Sequence, residues 1–318
     1  MPKELNMIQP PGLGNGEACT FLWACAVCDE TEWCKKDKEG HNRWLVAKRM
    51  ERVEHIVLVM SHRGGVGNST VTTNLAVSLA LKGRHVGICE LDIQGPTIPK
   101  MVGAEGQQLK VSTSGGIIPI QAYNLRIASM SSFLLQHSDD PILRRDGDKY
   151  ACVDQLLGGV EWQDLNFLLV DLPAGTGHES GRTIDLLGHV TGAVIVTTPE
   201  EAARLDARKS VGFCRDRAVP IIGLVENMSG LDWPQCGHPS DVFGTGGGEA
   251  SVVEMGVPFL GRIPLDPEIV TQGDAGEPFA LFNSDSAAAS VFHDVASKVE
   301  AFCKKSASLI RRPSLMKR

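Results

Sequence analysis

The sequence has few aromatic residues, no long hydrophobic run and no excess of basic charge, and each absence excludes a class of protein. Phe, Trp and Tyr make up 5% of the 318 residues, which disfavours a protein that binds nucleic acid by stacking bases. No stretch reaches 18 uninterrupted apolar residues, so a transmembrane helix is not expected. The net charge of −7 disfavours nucleic acid as the main partner. Because residues 1–4 lack the apolar region of a secretion signal, we expect a cytoplasmic protein that uses neither membrane nor nucleic acid.

From residue 55 onward, short apolar segments alternate with segments of helical periodicity. Such alternation is typical of an α/β protein with a mostly parallel sheet covered by helices on both faces, a three-layer sandwich. Two further short strands are possible around 117–122 and 125–130. The predicted strands are 55–60, 86–91, 167–171, 193–197, 220–226 and 258–263, and the predicted helices include 44–54, 69–82 and 287–304.

A glycine-rich segment, 61–70, lies between the first predicted strand and its helix. In that setting a loop can cradle phosphate, since its amides point inward and the helix N-terminus adds a positive field. The usual loop ends in Gly-Lys-Ser/Thr, and here Asn68 takes the place of the lysine. The alternative is a plain glycine turn between strand and helix. The candidate phosphate-binding residues are Arg63, Gly64, Gly65, Val66, Gly67, Asn68, Ser69 and Thr70.

Four of the nine cysteines lie close together near the N-terminus. They are Cys19, Cys25, Cys28 and Cys34. Clustered cysteines in a protein without an export signal indicate a metal site more than disulfides. Four thiolates within sixteen residues suit a [4Fe–4S] cluster and Zn²⁺ equally well. Cys89, Cys152, Cys214 and Cys303 fall in apolar patterns and are predicted to be small core residues.

The phosphate loop and six other segments together resemble the Mrp-type iron–sulfur cluster carriers, which are deviant-Walker P-loop proteins related to the MinD and ParA ATPases. The resemblance runs from about Cys25 to Asp274 and implies a P-loop NTPase fold. The matching segments are RGGVGNST at 63–70, ELDIQGPT at 90–97, DLPAGTGHE at 171–179, TTPEE at 197–201, ENMSG at 226–230, GTGGGE at 244–249 and GRIPLDP at 261–267.

The resemblance implies roles for three residues outside the loop. Asp92 matches the carboxylate that polarises the attacking water and is therefore the candidate catalytic residue. Asp171 matches the Walker B acid that holds Mg²⁺ through water, next to Ser69. Asn227 matches the residue that reads the edge of adenine. Taken singly, a strand-end Asp such as Asp92 or Asp171 could instead cap the next turn.

Several positions depart from the family pattern near this site. Arg63 and Asn68 replace two lysines. The resemblance implies that the lysine at the position of Arg63 reaches across a dimer to the partner's nucleotide. Asn68 carries no charge to stabilise a transferring phosphoryl group. The other departures are Glu90, Ala174 and His178. We therefore expect binding of ATP with Mg²⁺, weakened, with very slow hydrolysis or none.

The resemblance also concerns the cysteines. Cys25, Cys28 and Cys34 match the family's N-terminal cluster motif, in which Cys19 would stand in for an absent first ligand. The family's second site is a Cys-Pro-x-Cys pair that bridges a dimer, and here only Cys236 is kept because Trp233 replaces the other cysteine. His238 could complete that site but is more simply a loop residue.

These observations predict a three-part chain and an iron–sulfur function. The parts are a Cys-containing N-terminal extension at 1–50, a P-loop nucleotide-binding domain at 51–304 and a basic tail at 305–318. The expected function is that of a carrier or scaffold that binds ATP and assists assembly or delivery of [4Fe–4S] clusters to apo iron–sulfur proteins, as a homodimer or as a heterodimer with a homologue. The alternative is a degenerate, non-catalytic partner or regulator of an intact homologue. A partitioning ATPase on DNA or membrane is a weaker third reading, because the acidic charge and the cysteines count against it.

Overall fold

A computed structural model of the chain describes residues 37–93, 95–113, 115–132, 146–232 and 239–310. The described strands are β1 (Val53–Met60), β2 (Val86–Glu90), β3 (Lys110–Val111), β4 (Ile117–Ile118), β5 (Ile120–Ala122), β6 (Leu125–Ser129), β7 (Leu165–Asp171), β8 (Gly192–Thr197), β9 (Ile221–Glu226), β10 (Leu231–Asp232), β11 (Pro239–Ser240) and β12 (Phe259–Arg262). The described helices are α1 (Lys38–Met50), α2 (Asn68–Leu81), α3 (Ile98–Met101), α4 (Asp146–Gly159), α5 (His178–Leu187), α6 (Glu201–Asp216), α7 (Gly247–Met255), α8 (Pro267–Ala275), α9 (Phe279–Phe282) and α10 (Ala287–Ile310).

Eight strands form one sheet in the order β12-β9-β8-β1-β7-β2-β6-β5. All neighbouring pairs are parallel except β5 with β6. Strand β1 lies in the middle, and its residues from His55 to Met60 are all buried, because helices cover both faces of a parallel sheet. The predicted mostly parallel sheet is thus confirmed.

Two hydrophobic cores, one on each face of the sheet, make the three layers. One core packs side chains of α1, α4, α5, α6 and α7 against the sheet, and the other packs α2, α3, α9 and α10 against the opposite face. Leu58 of β1 belongs to the first core, whereas Val57 and Val59 belong to the second, as the alternation of a strand requires. The four cysteines predicted as core residues, Cys89, Cys152, Cys214 and Cys303, are all buried, as predicted.

Two helices differ in extent from the sequence-based prediction. Helix α1 begins at Lys38 rather than 44, because the side chain of Asp37 accepts a hydrogen bond from the Gly40 amide (3.0 Å) and caps the first turn. It ends at Met50, shortly before β1 begins at Val53. Although α1 lies in the predicted N-terminal extension, its Leu45 and Val46 are fully buried. Helix α10 continues six residues past the predicted end to Ile310. Among the described residues, no helix has the length and hydropathy needed to cross a membrane.

Glu300 of α10 forms ion pairs with three cations, two of which follow the end of α2. Its carboxylate pairs with Lys82 (3.1 Å), Arg84 and Lys304 (2.9 Å). Burial alone would raise the pKa of Glu300, but the three cations outweigh it and lower the pKa to about 2. A depressed pKa in the folded state contributes stability above the ordinary value of 4.5, and this contribution is lost as the pH falls toward 2.

We expect Glu300→Gln to lower the free energy of unfolding by about 1–2 kcal/mol at pH 7, because the neutral amide no longer forms ion pairs with the three cations. The effect is small since the cations are partly exposed and solvent screens the pairs. The difference from the unsubstituted protein should shrink as the pH falls from 4.5 to 2. Urea denaturation across this range measures both effects. The exposed Glu51→Gln serves as control, and an equal effect of both substitutions would contradict the role of the cluster.

Candidate functional site

The candidate site lies where the carboxyl ends of the central parallel strands meet. Strand β1 leads into the glycine-rich loop, β7 ends at Asp171, β2 ends two residues before Asp92, and β9 ends one residue before Asn227. In parallel sheets, ligands bind in the crevice at this edge, next to a change in strand order. The sheet therefore brings together all the described residues to which the sequence assigned a nucleotide role.

The loop between β1 and α2 has the backbone that close approach to an anion requires. Gly65 and Gly67 have φ of +82° and +85°, a left-handed conformation that glycine adopts without strain. Helix α2 begins at Asn68, and Gly67 before it provides no side-chain cap. The helix N-terminus therefore points an uncapped positive dipole end at the loop.

Asp171 lies beneath this loop, fully buried, and three side chains of α2 donate hydrogen bonds to it. The Ser69 hydroxyl donates to Oδ2 (2.8 Å), while Thr72 Oγ1 (2.6 Å) and Asn68 Nδ2 (2.8 Å) donate to Oδ1. Asp171 therefore fixes the first turn of α2 to the end of β7. A buried carboxyl without such donors would be strongly destabilising.

Two carboxyl groups lie side by side on neighbouring strands, because Glu90 of β2 is in register with Asp171 of β7. Burial raises the pKa of Asp171 to about 7, and the charge of Asp92 adds to this, while the hydrogen bonds from α2 oppose it. Burial also raises the pKa of Glu90 to about 8. Glu90 accepts hydrogen bonds from the amides of Thr97 (2.7 Å) and Ile98 (2.9 Å), and so orders the chain that follows Asp92.

The side chain of Asn68 points inward rather than along the phosphate loop. Besides Asp171, its Nδ2 lies within hydrogen-bonding distance of the carbonyl oxygens of Val59 (3.1 Å) and Leu172 (3.2 Å). Its Oδ1 is buried and has no hydrogen-bond partner among the described atoms. In this arrangement Asn68 braces the ends of β1 and β7, and only its backbone N–H belongs to the loop.

Arg63 and His62, at the start of the loop, contact α6 and the segment after Asp171. Arg63 Nη1 donates to Glu200 Oε1 (3.3 Å) at the start of α6. His62 lies 3.9 Å from Asp206 of the same helix and 3.5 Å from the Thr176 hydroxyl. The positive charge of the loop is therefore already matched by a carboxylate of the same chain.

Asn227 packs directly against the glycine loop. Its Nδ2 donates to the Val66 carbonyl (2.8 Å), and a Cβ added at Gly67 would collide with the same amide. The side chain is buried, and its backbone N–H bonds the Thr197 carbonyl (2.7 Å). Asn227 thus holds the loop in place.

Glu226, the last residue of β9, joins three segments that lie far apart in the sequence. Its fully buried carboxylate accepts hydrogen bonds from the amides of Gly246 (2.9 Å) and Gly248, from the Ser229 hydroxyl and from Arg262 Nε (3.2 Å). The segments 226–230, 244–249 and 261–267, which carry the resemblance, therefore meet at one carboxylate. Their role at this point is to order the loops that flank Asn227.

The donor set fits a nucleotide with Mg²⁺, judged by the positions of Ser69 and Asp171. A hydroxyl and a carboxylate 2.8 Å apart are oxygen ligands of the kind that magnesium takes. The left-handed glycine loop and the uncapped helix N-terminus above them offer the backbone N–H groups that phosphate takes. Thr70 follows in the first turn of α2 and lines a cavity of about 150 Å³ together with Thr97 and Phe279. Asp92 is half-buried at the rim, close enough for its charge to act on Asp171.

The metal-binding predictions lie outside the described residues. Cys19, Cys25, Cys28, Cys34 and Cys236 all fall in undescribed parts of the chain, as does His238. Within the described part, no group of three or more His, Cys, Asp or Glu side chains is arranged to hold a metal ion.

Three residues of the site were missed by the sequence analysis: Thr72, Glu200 and Glu226. Thr72 lies one helical turn after Asn68, on the same face of α2. That spacing could have predicted that the Thr72 hydroxyl also donates to Asp171. Glu200 and Glu226 stood inside the matched segments, but nothing in the sequence indicated which side chains they contact.

We expect Thr72→Val to lower the free energy of unfolding by about 1–3 kcal/mol, because it removes a hydrogen bond to a buried carboxyl without changing the side-chain shape. Thr73→Val is the matched control, since Thr73 is equally buried but its hydroxyl lies only near Met101 Sδ (3.8 Å). Urea denaturation of both variants without nucleotide measures the difference. Equal stabilities would show that Thr72 does not support Asp171.

The chain is similar to several known proteins. Residues 52–300 match the ParA family model, described as an iron-transfer P-loop NTPase of the NUBPL type. An iron–sulfur cluster carrier protein of Saccharolobus solfataricus is 41% identical over 254 residues, which cover 80% of this chain and 86% of that protein. One of Methanocaldococcus jannaschii is 40% identical over 262 residues, with 81% and 90% covered. A nucleotide-binding protein of Archaeoglobus fulgidus in complex with ADP has a similar structure, with a TM-score of 0.65, 30% identity, and 74% and 92% covered.

Proposed function

This chain belongs to the ParA family of iron-transfer P-loop NTPases, and we propose that it is an iron–sulfur cluster carrier that binds ATP at the loop 63–70. The single observation that carries the nucleotide part is the Ser69–Asp171 contact beneath the left-handed glycine loop. The identity to two proteins named as iron–sulfur cluster carriers supports the cargo.

In the proposed site the backbone amides of the loop surround the phosphates. The residues concerned are Gly64, Gly65, Val66, Gly67, Asn68, Ser69 and Thr70. Ser69 would hold Mg²⁺, with Asp171 acting through water, and this ion would neutralise phosphate charge. Arg63 would supply positive charge, Asn227 would read the edge of adenine, and Asp92 would orient a water.

In our proposal the cluster is cargo held by cysteine thiolates outside the nucleotide site. Cys19, Cys25, Cys28 and Cys34 are the proposed ligands of a [4Fe–4S] cluster in the N-terminal extension, 1–50, with Zn²⁺ as the alternative occupant. Cys236 of two copies would contribute to a second, shared site. The recipients are apo iron–sulfur proteins of the cytoplasm, the nucleotide-binding domain spans 51–304, and the basic tail spans 305–318.

The alternative, a non-catalytic regulator of an intact homologue, is not favoured. Both curated relatives reported above are named as carriers, and the chain covers 86% and 90% of their lengths. Arg63 and Asn68 both have hydrogen-bond partners in the same chain, so the two departures are compatible with the fold of the loop. We propose that their effect is on turnover. A dimer, of identical chains or with a homologue, remains part of the proposal.

We expect ATP hydrolysis to be very slow, because no ammonium group reaches the phosphates from position 68. Asn68→Lys should raise the rate of phosphate release about 10-fold or more if the added charge stabilises the transferring phosphoryl group. Phosphate release is measured together with ATP binding by calorimetry. Gln107→Lys, which adds the same charge at an exposed position, is the control. Equal rates for the unsubstituted protein and Asn68→Lys would contradict the expectation.

The carrier proposal is tested by iron and sulfide analysis after anaerobic reconstitution. The double variant Cys25→Ala/Cys28→Ala should lose most of the bound iron, whereas Cys152→Ala, a buried core cysteine, should retain it. Cys236→Ala reports separately on the second site. Unchanged iron in the double variant would remove the N-terminal cysteines from the cluster, and zinc in place of iron would overturn the carrier function.

A further inference from the structure

His62 stands at the start of the phosphate loop, where the usual loop has no side chain. In the pattern Gly-x4-Gly-Lys-Ser/Thr, aligned on Gly67, His62 takes the place of the first glycine and Asn68 that of the lysine. The loop therefore lacks the fixed ammonium group of the pattern but carries an imidazole at its other end. Histidine is the side chain that ordinarily changes its charge between pH 5 and 8.

Both ring nitrogens of His62 face a partner on another segment. Nδ1 lies 3.5 Å from the Thr176 hydroxyl, and Nε2 lies 3.9 Å from Oδ1 of Asp206 in α6. Only 25% of the His62 side chain and 23% of the Asp206 side chain are exposed. The ring is therefore held between Thr176 and α6 rather than turned into solvent.

The segment 174–176 lies directly against the phosphate loop. The Gly175 N–H donates to the Ser61 carbonyl (2.9 Å), and the φ of Gly175, +101°, is one that glycine adopts without strain. The segment itself carries no charged side chain. His62 and Thr176 thus form part of one wall of the loop, and a charge on the ring acts on any anion that the loop holds.

The two partners of His62 suit both protonation states of its ring. In the neutral tautomer with hydrogen on Nε2, that hydrogen faces Asp206 and Nδ1 accepts from the Thr176 hydroxyl. In the protonated form both nitrogens donate, and the hydroxyl accepts, since a hydroxyl can serve as donor or acceptor. His62 can therefore gain or lose a proton without a rearrangement of its neighbours.

Charges of both signs surround His62. The Asp206 carboxylate favours the protonated ring, whereas Arg63 and Lys209 oppose it. The pKa of Asp206 is lowered mainly by the hydrogen bond from Lys209 (3.0 Å), with smaller contributions from the charges of His62 and Arg63. Arg63 is itself paired with Glu200. Because these charges oppose one another, an added phosphate can change the protonation of the ring.

We propose that His62 supplies the phosphate loop with a titratable positive charge: the phosphates of a bound nucleotide favour the protonated imidazole, so binding takes up protons. The inference rests on the proposed nucleotide binding and adds its dependence on pH. Since a protonated ring attracts phosphate, the contribution of His62 to affinity is present at pH 6 and is lost as the pH rises to 8. His62 acts through its charge, and no catalytic role is assigned to it.

The test measures proton uptake when the full chain binds ATP, and separately ADP, with Mg²⁺. Calorimetry at pH 7 in two buffers of different ionisation enthalpy gives the number of protons taken up. We expect the unsubstituted chain to take up about 0.2–0.5 proton more than His62→Gln, because glutamine bonds the same partners but carries no charge. His189→Gln is the control, since His189 is exposed and precedes β8 at the opposite edge of the sheet.

The same variants should differ in how affinity depends on pH. Between pH 6 and pH 8 we expect the Kd to rise about 3-fold more for the unsubstituted chain than for His62→Gln, as for a partly screened charge near phosphate. His62→Lys carries a fixed charge and should keep its tighter binding at pH 8. The nucleotide, Asp171 and Glu90 also titrate, but they are common to all variants and cancel in the comparison.

Equal proton uptake by the unsubstituted chain and His62→Gln overturns the inference and leaves nucleotide binding intact. A loss of proton uptake in His189→Gln as large as that in His62→Gln overturns it as well. Thermal unfolding without nucleotide shows whether each variant is folded, and His62→Asn replaces His62→Gln in the comparison if the latter is not. Failure of the unsubstituted chain and of every variant to bind nucleotide overturns the proposed function and the inference with it.

Discussion

The burial of one carboxyl group, that of Asp171, constrains the whole functional edge of this protein. A buried carboxyl needs donors, and here all three side-chain donors come from the first turn and a half of α2. That requirement fixes the helix to the end of β7, so the helix N-terminus and the glycine loop before it cannot move independently of the sheet. Asn227 then fixes the other side of the loop through the Val66 carbonyl. The geometry of the glycine loop follows from these contacts within the chain.

Two of the departures from the resembled motif, Asn68 and Arg63, have partners within the chain that suit the new side chains. Asn68 Nδ2 lies within hydrogen-bonding distance of Asp171 and of the carbonyl oxygens of Val59 and Leu172, so an uncharged amide serves the acceptors beneath the loop. Arg63 is neutralised by Glu200. The loop therefore keeps its shape with far less free positive charge than a loop with two lysines would have. In our proposal, therefore, the loop binds phosphate by its backbone geometry and offers little side-chain charge to a transferring phosphoryl group.

The sequence was sufficient for the sheet and for most of the nucleotide site, because both depend on local patterns. Uninterrupted apolar runs identified β1, β2, β7, β8, β9 and β12. The roles of Asp171 and Asn227 came from the resemblance of the segments that contain them. The sequence could not show that the side chain of Asn68 points inward, since that depends on acceptors 9 to 104 residues away. For the same reason it missed the contacts of Glu226 with segments 20 to 36 residues distant. The start of α1 was misplaced because the cap at Asp37 outweighed the weak periodicity before Trp44.

The anchoring of α1 makes the predicted boundary at residue 50 a boundary of sequence rather than of packing. Asp37 begins the helix, and Glu39 in its first turn bonds Arg182 of α5, which also binds the buried Asp154 of α4. Leu45 and Val46 of the same helix are fully buried. Removing residues 37–50 would therefore uncover one of the two hydrophobic cores and take from Arg182 one of its two carboxylate partners.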